Sequence, residues 1–505
     1  MITMGKFSRR EVFGIGAAGL AAAYLPSIAL GSSQGSKKRP RNVIFCVSDG
    51  MSAGVPSMLD QLLETVHGRP SFWKRLAGNA EVVIGVQSTC SLSSLVTDSS
   101  AASSAWGSGR KIVNGQVNVF PDGTRLTPLY EVLRDRAKLK TGLVTTATIT
   151  HATPAGFAVS HPSRDEEAQI AEKYLSLGVD VLFGGGDRFF SPAQRKDGRD
   201  LYADFARAGY AVAKDRSSMN AIRRGSKALG VFSSSHVPYE VDRLNQSGLL
   251  RSVPSLKEMA QKAVELLQDA PNGFILQVEG ARVDHAAHGN DPAGILYDQW
   301  AFDDAVEAMV DWAQKRGDTL VIVTTDHGNA NPGLIGAGDE YFDSTAGLQK
   351  LAEAKASFPT LLQLAGAKPS ASQLQDVVRD RLGIGLASEE AAFVARSLAG
   401  DGELRNIDFY KGASAALAMV LGNHYHIGWS GPAHSSDWTP FFAIGPGTAA
   451  FGGGWFENNT VFDRLLKLYG VRFQNPPQMT REEMLRHLGR QRQALGRAVA
   501  DHWLA

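Results

Sequence analysis

Phe274-Ile275-Leu276-Gln277-Val278 is an apolar run that stops in Glu279-Gly280-Ala281-Arg282-Val283-Asp284-His285-Ala286-Ala287-His288. A short run of this kind, closed by a polar turn, reads as a β-strand. Asp284 and His288 lie four residues apart, so a helical turn after the strand places both on one face. The pattern recurs along the chain. Asn42 to Ser48 ends in Asp49-Gly50-Met51, Thr141 to Thr146 leads to His151-Ala152-Thr153-Pro154, and Leu320 to Thr324 ends in Asp326-His327-Gly328. Further apolar runs fall at Val179 to Phe183 and Phe441 to Ile444. Helical patterns separate them: Ser255-Leu256-Lys257-Glu258 is a capping box before Met259, Ala263 and Leu266, and Phe302, Val306, Met309, Val310 and Ala313 form one apolar helical face. Strands alternating with helices predict an α/β fold with a largely parallel central sheet flanked by helices on both faces. After about Gly328 the pattern turns to helical segments rich in Ala, Leu and Gln, read as a helical insertion at about 340–422 packed on the sheet domain.

The 505 residues are 43% hydrophobic, which suits a globular chain with a sizeable core. Lys and Arg number 52 against 51 for Asp and Glu, a formal charge of +1 that leaves no electrostatic footprint for nucleic acid or an anionic membrane. Ser8-Arg9-Arg10-Glu11-Val12-Phe13 precedes a small-residue apolar run from Gly14 to Leu25 and then Pro26. Residues 1–31 therefore read as a twin-arginine export signal, too short to span a bilayer, and 32–41 as a flexible connector rich in Gly, Ser, Lys and Arg. The expected location is periplasmic or secreted, with no transmembrane span in the mature chain. Cys46 and Cys90 are too few for a disulfide scaffold, and Cys46, inside an apolar run, is expected to be a buried thiol.

In open α/β sheets, ligands bind outside the carboxyl ends of the strands. Each polar residue found there is weak evidence taken singly, since an Asp-Gly pair is usually a turn. Together they group carboxylates with imidazoles, a donor set suited to zinc, and carboxylates with a hydroxyl, suited to magnesium. Ser99 stands after Leu95-Val96-Thr97-Asp98 and opens the small-residue stretch Ser100 to Ala105. A serine at a helix start would meet phosphate together with backbone N–H groups and the positive end of the helix dipole.

The segment Val96-Thr97-Asp98-Ser99-Ser100-Ala101-Ala102-Ser103-Ser104-Ala105-Trp106 resembles the nucleophile segment of the alkaline phosphatase family, and matching motifs run from Asp49 to His434. The resemblance implies that residues 42–505 form an alkaline phosphatase catalytic domain hydrolysing phosphate monoesters through a phosphoserine at Ser99. It implies two zinc ions and one magnesium. Asp284, His288 and His434, the last from Gly431-Pro432-Ala433-His434-Ser435-Ser436, would hold one zinc. Asp326, His327 and Asp49 would hold the other, and Asp49, Thr153 and Glu279 the magnesium. Arg164, eleven residues after Thr153, falls at the family's phosphate-clamping arginine; the residues alone also allow a solvated arginine at a helix start, because Ser163 and Glu166 have capping-box spacing. His151 and His285 are expected to support the magnesium position from behind its ligands. They stand where the well-known bacterial prototype has aspartate and lysine, and where animal members have histidine.

The rival readings are a diesterase or other ester hydrolase of the same superfamily, and a non-catalytic phosphate- or metal-binding protein. A sulfatase is disfavoured because the nucleophile segment lacks the maturation signature those enzymes need. Homodimer assembly is left open.

Overall fold

The computed structural model describes residues 35–400 and 414–490; the expected export signal lies outside the described residues, as do the first residues of the connector. Ten strands form the central sheet: β1 (Asn42–Ser48), β2 (Val83–Ser88), β3 (Lys140–Thr148), β4 (Val181–Gly185), β5 (Tyr210–Ala213), β6 (Lys227–Val231), β7 (Phe274–Gly280), β8 (Thr319–Thr324), β9 (Thr439–Ile444) and β10 (Gly454–Glu457). Their spatial order is β10-β2-β9-β8-β1-β7-β3-β4-β6-β5. Every pairing is parallel except those of β9, which runs antiparallel to both β2 and β8.

The middle strands are apolar throughout because both faces are covered. In β1, Val43, Phe45 and Val47 enter one core, with Trp106, Tyr130 and Phe157, while Ile44 and Cys46 enter the core on the other face, with Val264, Phe302 and Val306. The Cys46 thiol is buried there, and both cysteines are unpaired. Each large apolar side chain removed from water in this way contributes roughly 1.5–3 kcal/mol before the cost of ordering it.

The capping box at Ser255 and Glu258 forms as the sequence reads, opening the helix Leu256–Leu267, and the apolar face from Phe302 to Ala313 lies on a long helix, Pro292–Arg316. A third core joins α1 (Gly54–His67) to helices that lie between β8 and β9 in the chain: Phe342–Gln349, Phe358–Ala365, Ala371–Leu382, Ser388–Leu398 and Ala415–Tyr425. Buried carboxylates tie this group down. Asp242 accepts hydrogen bonds from Ser357 N (2.9 Å) and Ser357 Oγ (2.6 Å), and Asp291 accepts one from Phe358 N (2.6 Å). No helix among the described residues is long and apolar enough to cross a membrane.

The arrangement positions one end of the sheet for chemistry. Glu279 on β7 is level with Val47 on β1 and Thr145 on β3, and Val47 is level with Thr324 on β8, so four neighbouring strands finish together.

Candidate active site

Ser99 is the first residue of α2 (Ser99–Ser108), and Asp98 caps it, accepting from Ala101 N at 2.8 Å. The other oxygen of Asp98 accepts from Ser100 Oγ (2.7 Å), Gly115 N (2.8 Å) and Arg164 Nη1 (3.1 Å). Burial opposes charge on this carboxyl, but Arg164 and the surrounding donors hold its pKa below the ordinary value. Small residues let α2 pack closely on α3 (Ala152–Ala158): a Cβ at Gly107 would overlap the Gly156 carbonyl, and Ser103 Oγ donates to Thr153 O at 2.6 Å. Ser99 and Thr153 are thereby brought to the same end of the sheet.

Arg164 lies in a turn before the helix Glu167–Leu177, with its N–H bonded to Gly115 O. That helix starts without a side-chain cap, so the spacing of Ser163 and Glu166 does not become a capping box. The guanidinium points inward, with Nη2 3.1 Å from His151 Nε2.

Three groups of side chains have ligand atoms close enough to share a cation: Asp49, Asp326 and His327; Asp284, His327 and His434; and Asp49, His151 and Glu279. His327 Nε2 is 3.2 Å from Asp326 Oδ2, 3.6 Å from Asp49 Oδ1 and 3.2 Å from Ser99 Oγ. His288, on α4 (Arg282–His288), approaches Asp284 Oδ2 at 3.4 Å and His434 Nε2 at 3.1 Å. Two imidazole nitrogens facing each other at that distance suit a shared cation. Their far nitrogens meet backbone carbonyls, His288 Nδ1 at Pro432 O (2.7 Å) and His434 Nδ1 at Thr97 O (2.8 Å), which leaves each Nε2 free to act as a ligand. His434 is delivered by a two-residue antiparallel pairing of His434–Ser435 with Gly328–Asn329. Gly50, with φ +66°, turns the chain out of β1 where a Cβ would overlap the Asp284 carboxylate.

Both oxygens of Asp49, both of Glu279, Asp326 Oδ2 and Thr153 Oγ1 are buried without a hydrogen-bond partner. Leaving so many acceptors unpaired is costly unless a cation satisfies them. Burial pushes Asp49 well above the ordinary carboxylate range, helped by Asp326, Asp284 and Glu279; burial also moves Glu279 to about 7 and Asp326 to about 6. These residues fit divalent metal ions by donor type and by their unmet bonding.

The sequence gives His151 a supporting place; in the structure a nitrogen of its ring lies close enough to carboxylate oxygens of Asp49 and Glu279 to join them in a candidate cation group. Thr153 Oγ1, expected to bind there, is buried nearby in the fold at the start of α3. His285 stays behind, its Nδ1 2.9 Å from Arg282 Nη1 and its ring centroid 5.5 Å from that of His151. Burial and neighbouring arginines lower the pKa of both histidines well below the usual value.

Two contributors escape the sequence reading. The His236 ring lies 4.3 Å from that of His285, and its Nδ1 accepts from Thr148 N at 3.2 Å. It follows β6, a short strand that opens on Lys227 and is interrupted by Gly230, so no continuous apolar run in the sequence points to it. Asn329 donates to Asp284 Oδ1 at 2.7 Å and to its carbonyl at 3.3 Å, orienting that carboxylate.

An open α/β sheet whose strand ends gather buried carboxylates and imidazoles around a helix-start serine defines the class of metal-dependent α/β hydrolases. The family model for alkaline phosphatase matches residues 40–470, and the chain belongs to that family. Alkaline phosphatase 3 of Bacillus subtilis is 30% identical over 447 residues, covering 86% of this chain and 90% of that protein. The crystal structure of Thermus thermophilus alkaline phosphatase superposes with a TM-score of 0.85 at 38% identity, covering 91% of this chain and 98% of the other. A cold-active alkaline phosphatase from a psychrophilic Shewanella sp. gives a TM-score of 0.71 at 26% identity, covering 85% and 99%.

Proposed function

We propose that this enzyme hydrolyses phosphate monoesters with Ser99 as nucleophile. The observation that carries the reading is the convergence of Ser99 Oγ with His327 and the buried, unpartnered carboxylates around it. Asp284, His288 and His434 would hold one zinc, Asp326, His327 and Asp49 a second, and Asp49, Thr153 and Glu279 a magnesium, with His151 in reach of that last group. Bound divalent cations would supply the positive charge that a phosphate dianion and its transition state require.

The protein's own residues do the rest. Asp98 and the first turn of α2 fix Ser99, so that its oxygen forms the O–P bond while the bond from phosphorus to the leaving alcohol breaks. Arg164, steadied by Asp98, presents a planar guanidinium to two phosphate oxygens. The helix N-terminus adds backbone N–H donors. Water then attacks the phosphoserine, releasing phosphate and restoring Ser99.

We infer further that residues 1–31 export the chain by the twin-arginine route, that residues 42–505 are the catalytic domain, and that about 340–422 is an insertion into it. Export would be read from the location and N-terminus of the mature protein.

The test is to quench turnover of a labelled monoester in acid and map the phosphorylated residue. Label on Ser99, its loss in Ser99→Ala with metal content unchanged, and a fall in kcat of at least about a thousandfold are expected. Label elsewhere, or wild-type turnover in Ser99→Ala, would refute the assignment. Comparable turnover of a diester would favour the diesterase alternative.

A further inference from the structure

A pocket of about 300 Å³ opens beside His288. His288 and Pro432 form its border with the site, and Ala418, Met419, Ile427 and Trp429 line it from the segment between β8 and β9. Among the described residues, no Asp, Glu, Lys or Arg lines it. A cavity of this size and lining takes an uncharged, largely apolar group.

Its position says which group. The rings of His327 and His434 stack at 3.8 Å, and those of His434 and His288 lie 4.9 Å apart, so a row of three imidazoles leads from Ser99 to the pocket. In an in-line displacement the leaving alcohol points away from the attacking oxygen. With Ser99 at one end of the row, the alcohol departs toward the other.

We propose that this pocket receives the alcohol portion of the ester and selects phosphate monoesters of neutral, apolar alcohols of about aryl size. The proposal rests on the monoesterase reading above. No new covalent step is involved: the same alcohol leaves, and the pocket acts through its affinity for that group.

The experiment compares kcat/KM for 2-phenylethyl phosphate and ethyl phosphate, primary-alcohol esters of similar leaving-group acidity, with zinc and magnesium supplied. Wild type should prefer the phenylethyl ester by on the order of 10- to 100-fold. Met419 is 44% exposed, so substitution there is compatible with folding. Met419→Glu should bring the ratio to within about threefold of parity, leaving ethyl phosphate turnover and inhibition by inorganic phosphate unchanged. Met419→Leu should keep the preference. No preference in wild type, or one that survives in Met419→Glu, overturns the proposal. Altered sedimentation of Met419→Glu with an unchanged ratio would give the pocket to a second copy of the chain, and an unchanged ratio alone would leave it to another occupant such as the segment 401–413; either outcome sinks the proposal. Failure of the monoesterase reading is distinct, because wild type would then turn over neither ester.

Discussion

Asp98 is the cap of α2 and the counter-ion of Arg164 at once. Removing Arg164 should therefore be felt by the substrate first and by the helix second. Hydrogen bonds to charged groups contribute about 1.5–3 kcal/mol each, so Arg164→Ala should raise the inhibition constant of inorganic phosphate roughly 10- to 100-fold. Diesters, which present fewer charged oxygens, should be affected less. Unchanged phosphate inhibition in Arg164→Ala would reduce this residue to a partner for Asp98. At this scale the sequence is informative where residue type and neighbours coincide: Asp49 and the Asp326-His327 pair stand out because each closely follows an apolar run, and Asp284 with His288 because their spacing puts both on one helical face. Arg164 is ambiguous because capping-box spacing occurs without a capping box, and His151 because its place in the sequence does not show that its ring comes within reach of Asp49 and Glu279.

At the scale of elements, the contact between α2 and α3 sets the distance between the serine and the residues at the head of α3. Gly107→Ala must push the helices apart, since the added carbon meets backbone and not a movable side chain. A loss of about 1–3 kcal/mol in denaturant-measured stability is expected, with kcat reduced at least tenfold. Wild-type kcat in that variant would show that the helix spacing is not what places Ser99. A second element is held by Asp303, which sits on the helix Pro292–Arg316 and accepts from Phe72 N (2.6 Å) and Trp73 N (2.7 Å) at the start of the short helix Phe72–Ala77. Burial pushes its pKa up to about 6. The folded protein thus favours the protonated form, and the contribution present below pH ~4 is lost as pH rises through about 6, on the order of 3 kcal/mol. Asp303→Asn does not titrate, so the stability of wild type minus variant should fall between pH 4 and 7; a flat difference would mean the carboxyl ionises normally. The six strands legible in the sequence are continuous apolar runs, because most of them are covered on both faces. Those missed, β2, β5, β6 and β10, are short or broken by Gly, Gln and Lys; β5 and β10 are the two edges, where half-burial relaxes the demand for apolar residues.

The described residues pack into four apolar clusters about one sheet, with the costliest groups gathered at a single end. A ligand that binds only the folded state adds to stability by mass action, by about 4 kcal/mol at a thousand times its dissociation constant. Chelation should lower the thermal midpoint, and zinc with magnesium should restore it, equally in wild type and Ser99→Ala. A midpoint indifferent to chelator would mean that the buried carboxylates are satisfied without cations. The pairing of Gly328–Asn329 with His434–Ser435 carries one last consequence. It closes a loop of roughly a hundred residues, whose entropic cost grows only slowly with length, so elaboration of the intervening helices is thermodynamically cheap. In time the balance differs. His434 lies just ahead of β9, which pairs with both β8 and β2, so the centre cannot be complete until this C-terminal strand has joined the sheet, and recovery of activity should not precede the docking of β9.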